Sequence, residues 1–167
     1  MDKIRLSGIV KESTVDGPGL RYVIFTQGCP HHCLGCHNPH THDYNGGTLV
    51  DVETILDEIK ANPLLSGITF SGGECFLQPK QCAYIAKEAR KLNLNIYAYT
   101  GYLYEDLLRM PEVLDFLDQI DILIDGPFIL KERNLLLTFR GSNNQRVIDL
   151  KETKKQNKIV LHEFEVV

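Results

Sequence analysis

Residues 21–38 read RYVIFTQGCPHHCLGCHN, an apolar run followed at once by three closely spaced cysteines. The β-branched and aromatic run 21–27 is typical of a buried strand. Cys29, Cys33 and Cys36 follow with the spacing C-x3-C-x2-C and no fourth cysteine close by. Thiolates this near each other in a short loop usually hold a metal. Three ligands are one fewer than a closed site needs, so we interpret the loop as holding a 4Fe–4S cluster with one iron open to a non-protein ligand.

Structural zinc is the alternative that the spacing leaves open. The same stretch of chain is rich in histidine, and one histidine would complete a tetrahedral zinc site with the three cysteines. The candidates are His31, His32, His37, His40 and His42. We expect most of them to be polar groups of the loop, and only His37, beside the third cysteine, has a claim based on position.

Length, composition and charge narrow the class of protein. The 167 residues, 43% of them hydrophobic, predict one globular domain over 1–167. The net charge of −4 gives no electrostatic reason to expect a nucleic acid partner. The basic stretch 151–158 is predicted to be a solvated turn or helix face. The chain shows no apolar signal segment or membrane span, and its five cysteines, three of them clustered, predict a reducing cytoplasmic location.

Strands and helices alternate along the chain. Strands are predicted at 21–27, 67–70, 95–99 and 121–124, and helices at 51–61 and 79–92, with shorter helical pieces around Pro111. The helices are indicated by apolar residues at helical spacing. This alternation predicts an α/β fold in which parallel strands are joined by right-handed crossovers.

Each candidate motif comes directly after one of the predicted strands. Because the carboxyl ends of parallel strands meet at one edge of a sheet, we expect these motifs to converge on a single site. In chain order they are the cysteine loop, Gly72-Gly73-Glu74, Thr100-Gly101 and Asp125-Gly126-Pro127.

The cysteine loop after the first strand and Gly-Gly-Glu after the second resemble the radical S-adenosylmethionine (SAM) superfamily. Within it, DGPGLR at 16–21, QGC at 27–29 and CHN at 36–38 are similar to the glycyl radical enzyme activases. The C-terminal half resembles the activating proteins of anaerobic (class III) ribonucleoside-triphosphate reductase. The motifs that carry this likeness are YTGY at 99–102, DGPF at 125–128 and RGSNNQR at 140–146. Gly35, where the pyruvate formate-lyase activases commonly carry an aromatic residue, fits the reductase activators.

The resemblance implies a curved, mostly parallel sheet that forms a partial (β/α) barrel of the radical SAM type. It implies that Cys29, Cys33 and Cys36 are the metal ligands and that SAM chelates the open iron. Backbone groups of Gly72 and Gly73, with Glu74 nearby, are expected to secure the methionyl amino group. The positions flanking the third ligand, Gly35 and His37, are expected to lie with Cys36 against the adenosyl portion.

The activity that the resemblance implies is that of an oxidoreductase. One electron from a reduced flavodoxin-like donor passes through the cluster to the sulfonium of SAM, whose carbon–sulfur bond breaks to give methionine and a 5′-deoxyadenosyl radical. That radical takes a hydrogen atom from a glycine of the reductase, and no side chain is needed as a catalytic acid or base. Two alternatives stay open: activation of another glycyl radical enzyme such as pyruvate formate-lyase, and a zinc-stabilised Cys/His binding module.

Several residues have weaker assignments. Cys75 is interpreted as non-ligating, because a fourth ligand would block SAM, and Cys82 is predicted to pack in the core. Asp125 is favoured as a carboxylate of the site, and Arg21 is a candidate contact for the partner's glycyl loop. The loop 140–146 is either a polar surface loop or a contact with SAM or the reductase.

Overall fold

A seven-stranded sheet forms the centre of the computed structural model, which describes residues 3–36 and 39–162. The strands are β1 (Lys3–Ser13), β2 (Arg21–Thr26), β3 (Thr48–Asp51), β4 (Gly67–Gly72), β5 (Asn95–Tyr99), β6 (Ile122–Asp125) and β7 (Arg146–Asp149). The helices are α1 (Val52–Lys60), α2 (Pro79–Lys91), α3 (Tyr104–Leu107), α4 (Leu114–Leu117) and α5 (Leu150–Gln156). The α/β class and the four predicted strands are therefore confirmed.

The strand order β3-β1-β2-β4-β5-β6-β7 places the four predicted strands side by side. Strands β2, β4, β5 and β6 are parallel, whereas β1, β3 and β7 pair antiparallel at the two sides. The sheet is thus mixed, and the expectation of a mostly parallel sheet holds only for its centre. The reason is the length of the connections: β1 reaches β2 through the short turn 14–20, which suits an antiparallel pair, while parallel neighbours need a long crossover.

Helices α1 and α2 cover one face of the sheet. The predicted apolar stripe of α1 is buried in full, at Val52, Ile55, Leu56 and Ile59. In α2, Pro79 lies in the first turn, where a backbone N–H would have no partner within the helix, so the missing N–H of proline costs no hydrogen bond. The apolar stripe of α2, which includes Cys82, is buried. The core prediction for Cys82 is confirmed.

The central aromatic contact of this core joins the helices to the sheet. The ring centre of Phe116 in α4 lies 5.0 Å from that of Phe70 in β4 and 4.8 Å from that of Phe76.

The basic stretch 151–158 begins as helix α5, whose first turn is capped by the Asp149 carboxylate, in agreement with the predicted helix face. Over the described residues no helix combines the length and the apolar character needed to cross a bilayer.

Arg21 lies on the opposite face of the sheet and is fully buried. Its guanidinium donates to the Thr69 hydroxyl at 2.7 Å and to the Ile68 carbonyl at 2.8 Å, and it stacks 4.3 Å from the centre of the Tyr97 ring. Burial lowers the pKa of Arg21 to about 10, and its hydrogen bonds replace the water that it has lost. The interpretation of Arg21 as a contact for a partner is wrong, because the side chain joins β2 to β4 and β5 inside the protein.

We expect Arg21→Ala to lower the free energy of unfolding by about 2–4 kcal/mol, since it leaves buried carbonyl groups without donors. Denaturant unfolding under anaerobic conditions measures the loss. The matched control is Arg109→Ala at an exposed arginine, for which we expect a change within about 0.5 kcal/mol. Equal stability of the two variants would contradict the role given to Arg21.

Candidate functional site

A cavity of about 380 Å³ opens at the C-terminal ends of the four parallel strands. Segments that follow each of these strands contribute to its wall, so the predicted convergence of the motifs is confirmed. The residues that the motifs place there are Cys29, Cys33, Cys36, Gly72, Gly73, Thr100, Gly101 and Gly126.

The cysteine loop is closed at its base by backbone hydrogen bonds. The amide of Gly28 donates to the Thr41 carbonyl at 2.6 Å, and the amide of Cys29 donates to the His42 carbonyl at 3.3 Å. The buried side-chain amide of Gln27 adds bonds to the carbonyls of His40 and Asp43. These hydrogen bonds fix the position of Cys29 at the end of β2. The loop that follows Cys29 forms part of the cavity wall.

All three cysteines of the loop are free thiols. Cys29 is buried, whereas Cys33 and Cys36 are half-buried. Burial raises the pKa of Cys29 to about 11 and also raises that of Cys33, so these thiols need a positive partner to ionise. A bound metal would supply that charge, because a coordinating thiol is deprotonated by its metal.

Three thiols on the wall of one cavity suit a 4Fe–4S cluster, for which cysteine is the usual ligand. In residues 3–36 and 39–162, no three Cys, His, Asp or Glu side chains meet closely enough to hold a single metal ion. A four-iron cluster does not require such a meeting point, since each thiolate binds a different iron atom. The donor set therefore fits the cluster.

The Gly-Gly-Glu turn packs directly against the start of the cysteine loop. The amide of Gly73 donates to the Thr26 carbonyl at 3.1 Å, and the amide of Glu74 donates to the Gly28 carbonyl at 2.8 Å. Gly72 has φ +110°, and a Cβ on Gly73 would stand 2.5 Å from the Gly28 carbonyl oxygen. Two glycines are needed here because two backbones touch, which fixes the second motif against the first.

Glu74 has a fully buried carboxylate that joins three loops. It accepts from the Thr100 hydroxyl at 2.8 Å and the Gly101 amide at 2.8 Å, both beyond β5. It also accepts from its own turn, through the Phe76 amide at 3.2 Å. The third loop is that of the cysteines, whose His31 Nε2 lies 2.6 Å from Glu74 Oε1.

His31 is the functional residue that the sequence did not single out. It lines the cavity, contacts Glu74 and meets the ring of Tyr102 edge to face at 4.6 Å. The only sequence signal was its place between the first two cysteines, which it shares with His32. The position of His31 in the sequence does not indicate its contact with Glu74, which lies 43 residues further along the chain.

The structure describes only one of the two residues that flank the third cysteine. Gly35 lies under the loop that follows β6, and a Cβ at this position would stand 2.8 Å from Leu130 Cδ1. His37 lies outside the described residues, so its expected role stays a prediction.

Two other residues, Asp125 and Cys75, are engaged within the protein. Asp125 is buried and bonded to the Arg146 guanidinium and to the Tyr104 amide, so its carboxylate serves an ion pair and a helix start. Cys75 is buried with its thiol donating to the Tyr99 carbonyl at 3.4 Å. Neither side chain lines the cavity.

The loop 140–146 lies partly on the cavity wall and partly outside it. Arg140, Gly141 and Gln145 line the cavity, while Arg146 lies outside it with Asp125 and Glu105. The loop is therefore part of the cavity wall and not simply a polar surface turn. Asp16 and Tyr99 line the same cavity.

Comparison with known proteins is consistent with this site. The family model described as a 4Fe-4S single cluster domain matches residues 15–148. The anaerobic ribonucleoside-triphosphate reductase-activating protein of Enterobacteria phage T4 is 34% identical over 142 residues, covering 80% of this chain and 86% of the phage protein. The protein of the same description from Escherichia coli K12 is 32% identical over 146 residues, covering 82% of this chain and 93% of its own.

A second kind of activating enzyme also matches. The pyruvate formate-lyase-activating enzyme of Clostridium pasteurianum is 35% identical over 119 residues, which are 66% of this chain but only 50% of that enzyme. The reductase-activating proteins are matched over most of their length and the formate-lyase enzyme over half. On these matches the chain belongs to the 4Fe-4S single cluster domain family and to the family of the anaerobic ribonucleoside-triphosphate reductase-activating proteins.

Proposed function

We propose that the protein is a radical SAM activase that generates a glycyl radical on anaerobic ribonucleoside-triphosphate reductase. The observation that carries the proposal is the meeting of the three loop cysteines and the Gly-Gly-Glu turn on one cavity. The names of the matched relatives supply the target, since the reductase-activating proteins share about a third of their residues with this chain over nearly their full length.

Cys29, Cys33 and Cys36 would hold a 4Fe–4S cluster, and SAM would bind at the iron that has no protein ligand. When bound, the cluster supplies the electron for reductive cleavage of SAM, which is chemistry that amino acid side chains do not offer. A volume of about 380 Å³ lies within the range of small-molecule sites. The protein's own contribution is to hold the thiols, orient the ligand and limit the access of water.

The glycines and the glutamate of the Gly-Gly-Glu turn would have different roles. Gly72 and Gly73 line the cavity, so their backbone groups would face the methionyl amino group. The Glu74 carboxylate already accepts from three groups and lies 2.6 Å from His31 Nε2, which together engage about as many positions as a carboxylate has. Its part is to hold the loops that carry the ligands in place, while Gly35 and His37 would flank the adenosyl portion.

The wider assignments follow from the same family. A single radical SAM domain over 1–167 with the sheet curved into a partial barrel would put the cavity at the barrel mouth. A reduced flavodoxin-like protein would serve as electron donor. The five free cysteines favour a reducing cytoplasm as the place of action.

The partner is identified by incubating the reconstituted protein anaerobically with SAM, a reductant and one candidate partner at a time. We expect the electron paramagnetic resonance signal of a glycyl radical with an anaerobic ribonucleotide reductase and none with pyruvate formate-lyase. Omission of SAM is the control and should abolish the signal. A radical formed only on pyruvate formate-lyase would contradict the proposed partner and would identify the protein as a pyruvate formate-lyase activase.

Cys33→Ala tests the cluster ligands. With one thiolate removed, we expect iron and sulfide to fall far below the roughly four atoms of each per chain that the reconstituted wild type should hold. Elemental analysis and the visible absorbance of the cluster give the readout.

The matched control is Cys82→Ala, which removes a core thiol that does not line the cavity and should leave iron content unchanged. A Cys33→Ala protein with wild-type iron, or equal losses in both variants, would contradict the assignment of the ligands.

Glu74→Gln tests the loop anchor. The amide keeps the shape of the side chain but replaces one acceptor oxygen with a donor, which faces groups that also donate. We expect the free energy of unfolding to fall by about 1–3 kcal/mol, as measured by anaerobic denaturant titration. The exposed Glu112→Gln is the control and should stay within about 0.5 kcal/mol of wild type; an equally mild effect at Glu74 would remove its role as anchor.

A further inference from the structure

The most exposed large apolar side chains of the protein gather around the cavity. In the described parts of the chain, the five highest exposed fractions, from 73% to 93%, belong to Val15, Leu34, Leu64, Leu135 and Leu136. Val15 lines the cavity, Leu34 lies between two cysteines that line it, and Leu135 and Leu136 lie just before the segment 139–141, which lines it too. Single exposed apolar residues are ordinary, but four of the five at one cavity indicate an interaction surface.

Leu135 and Leu136 form the tip of a hairpin over 133–142, whose two arms are joined by an antiparallel bridge at the base. Asn134 orders this tip, because its side-chain oxygen accepts from the Leu136 amide at 2.9 Å and its own amide donates to the Gly141 carbonyl at 3.2 Å. The backbone of the hairpin tip is thus held by hydrogen bonds while both leucine side chains remain exposed. Apolar groups on an ordered backbone lose little conformational freedom when a partner covers them, which favours binding.

The hairpin is connected both to the cavity and to the cysteine loop. Its second arm contributes Phe139, Arg140 and Gly141 to the cavity wall. The segment that leads into its first arm packs closely on the cysteine loop, so that a Cβ on Gly35 would stand 2.8 Å from Leu130 Cδ1. The exposed leucines of the hairpin tip and of the cysteine loop are therefore carried by touching segments that both border the cavity.

A protein that brings a glycine to this cavity must cover the surface around it. Removal of a hydrogen atom from that glycine requires near contact with the reacting group inside the cavity. The parts of the partner on either side of its glycine would then lie on the rim, where the exposed leucines are. An electron donor is a poorer match for a projecting apolar hairpin, because electron-transfer partners form small and transient interfaces.

We propose that the hairpin tip, Leu135 and Leu136, docks into an apolar groove of the reductase beside the segment that carries its glycine. This inference rests on the proposed function and names the surface by which the activase recognises its partner. The cavity would bind the cofactor, and the hairpin beside it would bind the protein substrate.

The test compares two double variants with the same change in composition. Leu135→Ser/Leu136→Ser removes the apolar tip. The control Leu64→Ser/Leu92→Ser removes two exposed leucines that precede β4 and β5, at the edge of the sheet opposite the cavity. Each reconstituted protein is mixed anaerobically with SAM, dithionite and increasing amounts of reductase, and the rate of glycyl radical formation is followed by electron paramagnetic resonance. Dithionite replaces a protein electron donor, so the surface that binds such a donor does not affect the result.

For the tip variant we expect the reductase concentration at half-maximal rate to rise about 10- to 100-fold, since covering one leucine side chain is worth roughly tenfold in affinity. The maximal rate should stay within about twofold of wild type. Formation of 5′-deoxyadenosine without reductase should also stay within about twofold, because neither leucine lines the cavity. The control variant should match wild type in all three measurements.

Each other outcome overturns the inference. A tip variant that activates the reductase at wild-type concentrations would do so, as would equal weakening of the tip and control variants. Loss of 5′-deoxyadenosine formation without reductase would show that the leucines support the cavity and not the partner. A wild-type dimer that becomes a monomer in the tip variant, as measured by sedimentation, would assign the hairpin tip to a contact between two copies of this chain. Failure of wild type to form a radical on the reductase while it still cleaves SAM would overturn the proposed partner, and the docking surface with it.

Discussion

The site depends on one buried carboxylate. Glu74 is inaccessible to water, and its two oxygens receive donors from the cysteine loop, from its own turn and from the end of β5. A buried carboxyl group is tolerated only when it is hydrogen-bonded, so each of these loops must take the position that supplies its partner. The carboxylate thereby converts three separate loop conformations into one arrangement. The cavity has a defined shape because these loops are held together.

Backbone packing does the rest of the positioning. The Gly72-Gly73 turn lies against the chain that leaves β2, and the amides of Gly73 and Glu74 donate to the carbonyls of Thr26 and Gly28. The first cysteine therefore starts from a point fixed by its neighbouring strand. The turn after Arg140 is held similarly, because the Gln145 side chain accepts from the Gly141 amide and donates to the Gly126 carbonyl. Thiols of the cysteine loop, backbone groups of the glycine turn and the side chain of Arg140 thus line one cavity.

Sequence reasoning predicted the parts of this site that follow from local pattern. Apolar runs and helical spacing located the four central strands and both long helices, and the parallel arrangement then brought the motifs to one edge. It missed β1, although Ile4 and Leu6 alternate with polar residues there, and so it missed the mixed character of the sheet. It also made Arg21 a candidate contact for a partner, because the residues that surround its side chain, Thr69 and Tyr97, are far along the chain. His31 with Glu74, and Asp125 with Arg146, are likewise pairs whose partners are set by the tertiary fold.

The most direct test of the account is whether the protein cleaves SAM at all. The chain is reconstituted anaerobically with iron and sulfide, reduced with dithionite in the presence of SAM, and assayed for 5′-deoxyadenosine. We predict that the nucleoside forms and that its formation requires both the reductant and the reconstituted iron. A chain that holds one tightly bound zinc ion and yields no 5′-deoxyadenosine would contradict the account and favour a zinc-stabilised binding module.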